Sequence, residues 1–216
     1  SYYENGKLRL EENYINGKLN GISKSYYENG QLKEATPYKN DKKEGIVKTY
    51  IENGTLISEV TFKNGVVVGK SKLYKTKTGK LAAESNIKDR KIEGVSREYY
   101  PSGKLLSEVR YNKNGRIDGI AKVYNEQTGK LEYEENLVNG KRNGLSKKYY
   151  PSGKVLNEIN FKDDKEEGIM RVYYETGKLQ GEIPYKNGEV DGVVKAYDEN
   201  GKLIEQATFK NGEEVK

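Results

Sequence analysis

The chain has 216 residues, with 39 Lys and Arg against 33 Asp and Glu, and a net charge of +6. It contains no Cys and no His, which excludes disulfide and thiolate chemistry, the commonest general acid–base and the commonest transition-metal ligand. The two charge signs are interleaved throughout, a pattern that favours solubility and lacks the basic stripe a nucleic-acid surface needs.

One pattern recurs along the whole chain. It restarts at Gly21, Gly45, Gly69, Gly94, Gly119, Gly144, Gly168 and Gly192, a period of 24–25 residues. A fixed period in this range marks a repeat architecture, in which each unit buries its apolar surface against its neighbours. The expected fold is all-β: an elongated antiparallel β-meander, a solenoid of consecutive β-hairpin repeats. The expected organisation is a single array over 1–216, with a partial repeat at 1–20. Complete repeats then occupy 21–44, 45–68, 69–93, 94–118, 119–143, 144–167, 168–191 and 192–216. The opening SYYENGKL matches Ser25–Leu32, the middle of a repeat, so a preceding segment is expected, with any export signal lying in it.

Within each repeat, counted from its Gly, position 2 is apolar except at Lys70, position 4 is Lys or Arg, and position 6 is Tyr. This period of two places the three positions on one face of a strand. A turn follows, written ENG, PSG or ETG; Pro presets φ and the closing Gly accepts φ > 0, the requirements of a three-residue hairpin loop. In the repeats from Gly69 and Gly119 this loop gains a residue. The repeat from Gly94 instead carries its extra residue at 111–115.

The second strand begins at Leu or Val and reaches a large apolar residue six places later, as in Val155 to Phe161. Between them stands a Glu in six repeats (Glu59, Glu84, Glu108, Glu134, Glu158, Glu182), shifted one place earlier as Glu34 and Glu205 in the copies from Gly21 and Gly192. A polar connector closes the repeat. A three-residue loop sets Tyr149 opposite Val155 and Tyr50 opposite Leu56, gathering position 2, the Tyr, the Leu and the late aromatic on one apolar face. A two-residue loop would set Lys48 opposite Glu59 but separate Leu from Tyr50. Burying a Leu is worth about 1.5–3 kcal/mol and a cross-strand pair roughly 0.2–1 kcal/mol, so the first register is expected.

The one candidate binding face is the ladder formed by positions 4 and 6: Lys48, Tyr50, Lys72, Tyr74, Arg97, Tyr99, Lys122, Tyr124, Lys147, Tyr149, Arg171 and Tyr173. Its plainer reading is structural: lysine stems packed along tyrosine rings with their heads in water. Asp163 to Gly168 is acidic but lacks the alternating oxygen ligands of a calcium loop, and no phosphate loop or nucleophile–base pair occurs. No catalytic residue, metal site or cofactor is expected.

The pattern Gly-x-x-Lys-x-Tyr-Tyr-x-x-Gly-Lys-Leu-x-x-Glu-x-x-Tyr-x-x-Gly resembles the bacterial variant of the MORN (membrane occupation and recognition nexus) repeat, over essentially the whole chain. The resemblance implies a twisted antiparallel sheet of consecutive hairpins without catalytic residues. Its bacterial relatives include exported or surface-associated proteins and some labelled antitoxin-like. The expected function is a non-enzymatic scaffold for protein–protein interaction or adhesion support, exported to the bacterial periplasm or cell surface. The alternatives are a cytoplasmic antitoxin-like protein that sequesters a partner, and a peripheral binder of anionic lipid or glycan. Nucleic acid is not an expected partner, and exposed edge strands invite pairing between copies.

Overall fold

A computed structural model describes residues 1–215, and within them every regular element is a β-strand. The chain forms two compact units: Ser1–Lys104 with Lys113–Gly115, and Leu105–Asn112 with Arg116–Lys216. In the first unit Gly45–Tyr50 pairs with Leu56–Lys63, which pairs with Val66–Tyr74, which pairs with Leu81–Lys88, all antiparallel. In the second the same succession runs through Gly144–Tyr149, Val155–Lys162, Lys165–Tyr173 and Leu179–Lys186. Each unit is therefore an antiparallel meander of hairpins.

One end of each hairpin is closed by the turn read from Pro-Ser-Gly and its counterparts. The Tyr150 N–H donates to the Lys154 carbonyl and the Gly153 N–H to the Tyr150 carbonyl, both at 2.8 Å, with Gly153 at φ 89°. Pro151 presets the turn and Gly153 supplies the left-handed residue that matches the strand twist. The enlarged loop after Tyr74 keeps the same frame: the Lys75 N–H reaches the Lys80 carbonyl, and Tyr74 still faces Leu81.

The other end corrects the expectation of a polar connector. It is a second tight turn, with two successive residues at positive φ: Asn139 and Gly140 at 52° and 86°, Asp163 and Asp164 at 48° and 71°. Asn and Asp tolerate this left-handed region, so the chain reverses within two residues and resumes as a strand. In two repeats that strand runs on unbroken into the next first strand, as Val66–Tyr74 and Lys165–Tyr173. Asp164 serves this turn. Its carboxylate accepts the Arg142 backbone N–H at 2.8 Å and lies 3.7 Å from the guanidinium Nε.

The register holds both of the pairings that the sequence set against each other. Tyr149 faces Val155 and Tyr50 faces Leu56, while Lys147 faces Glu158 and Lys48 faces Glu59. A β-bulge reconciles them: Tyr50 pairs with Leu56 and Thr49 with Ser58, leaving Ile57 as the extra residue. That one residue inverts the parity of everything beyond it. Ile159 faces Ser146 and Phe161 faces Gly144, so the late aromatic lies on the face opposite Tyr149.

The expectation of one shared apolar face is thereby overturned. The buried side chains Val47, Thr36, Leu137, Ser146, Ile159 and Phe161 all belong to the face of position 3 and the late aromatic. Long basic side chains cover its rings: the Arg142 guanidinium lies 4.0 Å from the Phe161 ring centre and Lys43 Nζ 5.2 Å from that of Phe62. Position 2, on the Tyr face, stands exposed: Ile46 is 50% accessible, Ile120 48% and Ile169 43%.

Candidate functional site

The parity change brings Glu onto the face of Lys and Tyr. Within a unit, a Glu at this position lies between the basic residue of its own repeat and that of the next, as Glu59 lies between Lys48 and Lys72 and Glu158 between Lys147 and Arg171. In the first unit the row runs Lys48, Glu59, Lys72, Glu84, Arg97. In the second it runs Glu108, Lys122, Glu134, Lys147, Glu158, Arg171, Glu182, Lys195.

Glu59 shows a complete rung. Lys48 Nζ lies 3.4 Å from one carboxylate oxygen and Lys72 Nζ 3.8 Å from the other, which also accepts the Tyr74 hydroxyl at 2.8 Å. The other rungs repeat parts of this set. Arg97 and the Tyr99 hydroxyl meet Glu84 at 3.4 and 3.2 Å. Lys147 meets Glu158 at 3.6 Å, and the Tyr173 hydroxyl donates to the same Glu at 2.8 Å. The Tyr149 hydroxyl donates to Glu134 at 2.6 Å, and Arg171 lies 3.7 Å from Glu182. The Glu59 side chain is 19% exposed and Lys48 44%, so at this rung the carboxylate lies low while its cation reaches solvent.

All twelve residues of the sequence-derived ladder thus share one face within their units, but as half of an alternating-charge row. The tyrosines respond to this setting. Burial pushes Tyr74 up to about 12, with the Glu59 carboxylate adding to the rise. Tyr149 and Tyr173 are raised too, first by burial and then by hydrogen bonds to Glu134 and Glu158. Glu59 is held below its ordinary value, chiefly by the Tyr74 hydroxyl and then by Lys48 and Lys72, against the effect of its own burial. These phenols stay protonated as donors, and among the described residues no cluster of acidic groups suits a metal ion.

A second set of tyrosines lies outside the sequence-derived ladder. The position-7 hydroxyls of Tyr27, Tyr150 and Tyr174 donate at 2.8 Å to the backbone carbonyls of Tyr50, Tyr173 and Tyr197, one repeat on. The Tyr-Tyr doublet was the visible signal. Tyr149 also lines a concavity of about 240 Å³ with Leu131, Lys148, Tyr150, Pro151 and Leu156.

Meanders of hairpins locked to one another by side chains at fixed repeat positions define a β-repeat scaffold. The sequence profile of the family described as "MORN repeat variant" matches residues 1–16, 19–40, 43–64, 92–113, 142–163, 166–187 and 190–211. The chain belongs to the MORN repeat variant family. Residues 65–91 and 114–141 fall outside the matches, and they contain the two enlarged hairpin tips, whose strands nonetheless pair in the same register.

No curated protein matches the chain. Among solved structures it is similar to TarM, at 21% identity over 46% of this chain and with a TM-score of 0.32. A point mutant of S. aureus TarM in complex with fondaparinux, alpha-GlcNAc-glycerol and UDP gives 20% identity over the same share and the same TM-score. The chain spans 19% of the length of each of these proteins.

Proposed function

We propose that the chain is a non-enzymatic scaffold that presents its ladder face to a protein partner at the bacterial envelope. The observation that carries this reading is the aliphatic row at position 2. In the second unit Ile120, Leu145, Ile169 and Val193 recur in successive repeats at 37–48% exposure, beside a charge row that is already paired internally. Equivalent positions lie two strands apart, about 9.6 Å. An apolar row held at the surface over four repeats is a feature of interaction sites more than of inert surfaces. Envelope location rests on the resemblance to exported bacterial relatives, and a cytoplasmic partner-sequestering protein is the alternative.

Binding to anionic lipid or glycan is less favoured, because Lys48, Lys72, Arg97, Lys147 and Arg171 each have a carboxylate within 4 Å. Affinity capture with the intact chain tests the proposal, with Leu145→Thr plus Ile169→Thr as the matched control. A protein captured by the intact chain and lost with the control supports it. Salt-sensitive retention on anionic vesicles that is unaffected by the control would replace it with the lipid reading.

A further inference from the structure

One rung of the first unit's charge row lacks its acid. The pairing runs Glu11, Lys24, Ala35, Lys48, Glu59, so Ala35 stands where every other rung shown in this unit has Glu. The displaced acid, Glu34, lies on the opposite face, where it accepts the Thr36 hydroxyl. At the complete rung, one carboxylate serves the lysine of its own repeat, the lysine of the next, and the tyrosine fifteen residues on. The corresponding groups around Ala35 are Lys24, Lys48 and Tyr50. Lys24 and Lys48 lean instead to their outer neighbours, Glu11 at 3.5 Å and Glu59 at 3.4 Å. Among the described residues the Tyr50 hydroxyl has no hydrogen-bond partner, whereas the Tyr26 and Tyr74 hydroxyls on either side donate to Glu11 and Glu59.

The surroundings add a second element of recognition. Two residues along the same strands and on the same face, Ile22 and Ile46 are 49% and 50% exposed, with Pro37 facing Ile22 across the pair. The vacant position is therefore ringed by two cations and a phenol donor, and lies about 6.8 Å, two residues of strand, from an aliphatic patch.

We propose that this vacancy receives one carboxylate from an extended acidic segment of a protein partner. Lys24, Lys48 and Tyr50 hold that carboxylate as the complete rung holds Glu59, while an aliphatic residue two places away in the segment rests on Ile22 and Ile46. The proposal deepens the scaffold reading and rests on it, by fixing where one acidic side chain of the partner docks. Charge complementarity selects the occupant: the row alternates in sign everywhere else shown in this unit, and only a negative group restores the alternation here.

The test is a titration of the isotopically labelled chain with the capped peptide Gly-Leu-Ser-Glu-Ser-Leu-Gly, followed by amide chemical shifts. The expected result is a set of shifts centred on Lys24, Ala35, Lys48 and Tyr50, absent when the peptide's Glu is replaced by Gln. Ala35→Glu fills the vacancy with the chain's own carboxylate and should abolish these shifts. Tyr50→Phe, which leaves the ring in place, should weaken binding about tenfold, the loss expected for one charge-assisted hydrogen bond. Shifts spread evenly over all rungs, or binding unchanged in Ala35→Glu, would overturn the proposal, and Tyr50→Phe decides the matter if Ala35→Glu disturbs the fold. Because the probe is a peptide, a negative result strikes this site alone. The scaffold reading falls separately, if the intact chain captures no partner.

Discussion

At Tyr74 one hydroxyl couples two ionisations. Its bond to Glu59 favours a protonated phenol and an ionised carboxylate in the folded chain. Tyr74 is raised from 10.0 to about 12, so its contribution is fully present below pH 10 and is lost as pH climbs through 12. Glu59 is lowered from 4.5, so its contribution is present above that value and is lost as pH falls through the folded value. Tyr74→Phe should cost about 1 kcal/mol near neutrality, since the bond is charge-assisted but partly solvated. It should also flatten the loss of stability between pH 10 and 12 relative to the parent chain. Urea unfolding at a series of pH values measures both. Parallel alkaline profiles for the two proteins would show that this hydroxyl is not linked to folding.

Within the hairpin, the tip was legible and the bulge was not. Pro151 and Gly153 announce a turn type by their own backbone limits, and the structure contains it. Nothing in the side chains of Ile57 or Leu156 announces an extra residue, because both are apolar in an apolar-rich strand. The loss of parity followed from that silence. Counting alternate residues from Val155 assigns Phe161 to the wrong face, although the Tyr149–Val155 pairing itself is right. The second turn was legible in Asn64-Gly65 and Asn139-Gly140, a strong local signal for a two-residue hairpin. The signal is hidden at Asp163-Asp164 and Asn40-Asp41, which adopt the same left-handed pair without glycine.

The repeat-opening glycines show a constraint at this scale. Gly45 has φ 121°, and a Cβ there would lie 2.9 Å from Pro37 Cγ, whereas Gly94, at φ 82°, has nothing within 4 Å of that position. Both resist substitution through φ alone, at roughly 1–3 kcal/mol. Gly45→Ala should cost more than Gly94→Ala, because the Pro37 ring is rigid and must be displaced. Equal losses in denaturant unfolding would mean that the ring yields freely.

For the molecule as a whole, the period was the most readable property. It exposed the repetition, the absence of helical patterning and the Lys–Tyr ladder, and the family matches recur along the chain except over 65–91 and 114–141, which hold the enlarged tips. What the period could not show is how the two faces divide their work, because that depends on one unpaired residue per hairpin. Stability in such arrays comes from each repeat and its interface with the next. In the second unit the supporting face carries Leu137, Ser146, Ile159 and Phe161, and the ladder face carries the exposed row with Leu145.

Equilibrium urea unfolding of Phe161→Ala beside Leu145→Thr tests that division most directly. Phe161 is 7% exposed and Leu145 37%. The first substitution should cost about 3–5 kcal/mol as a buried aromatic truncation, and the second less than about 1 kcal/mol, as a change at a solvated strand position. A Leu145→Thr loss equal to or larger than that of Phe161→Ala would contradict the assignment and return the core to the face of Tyr149.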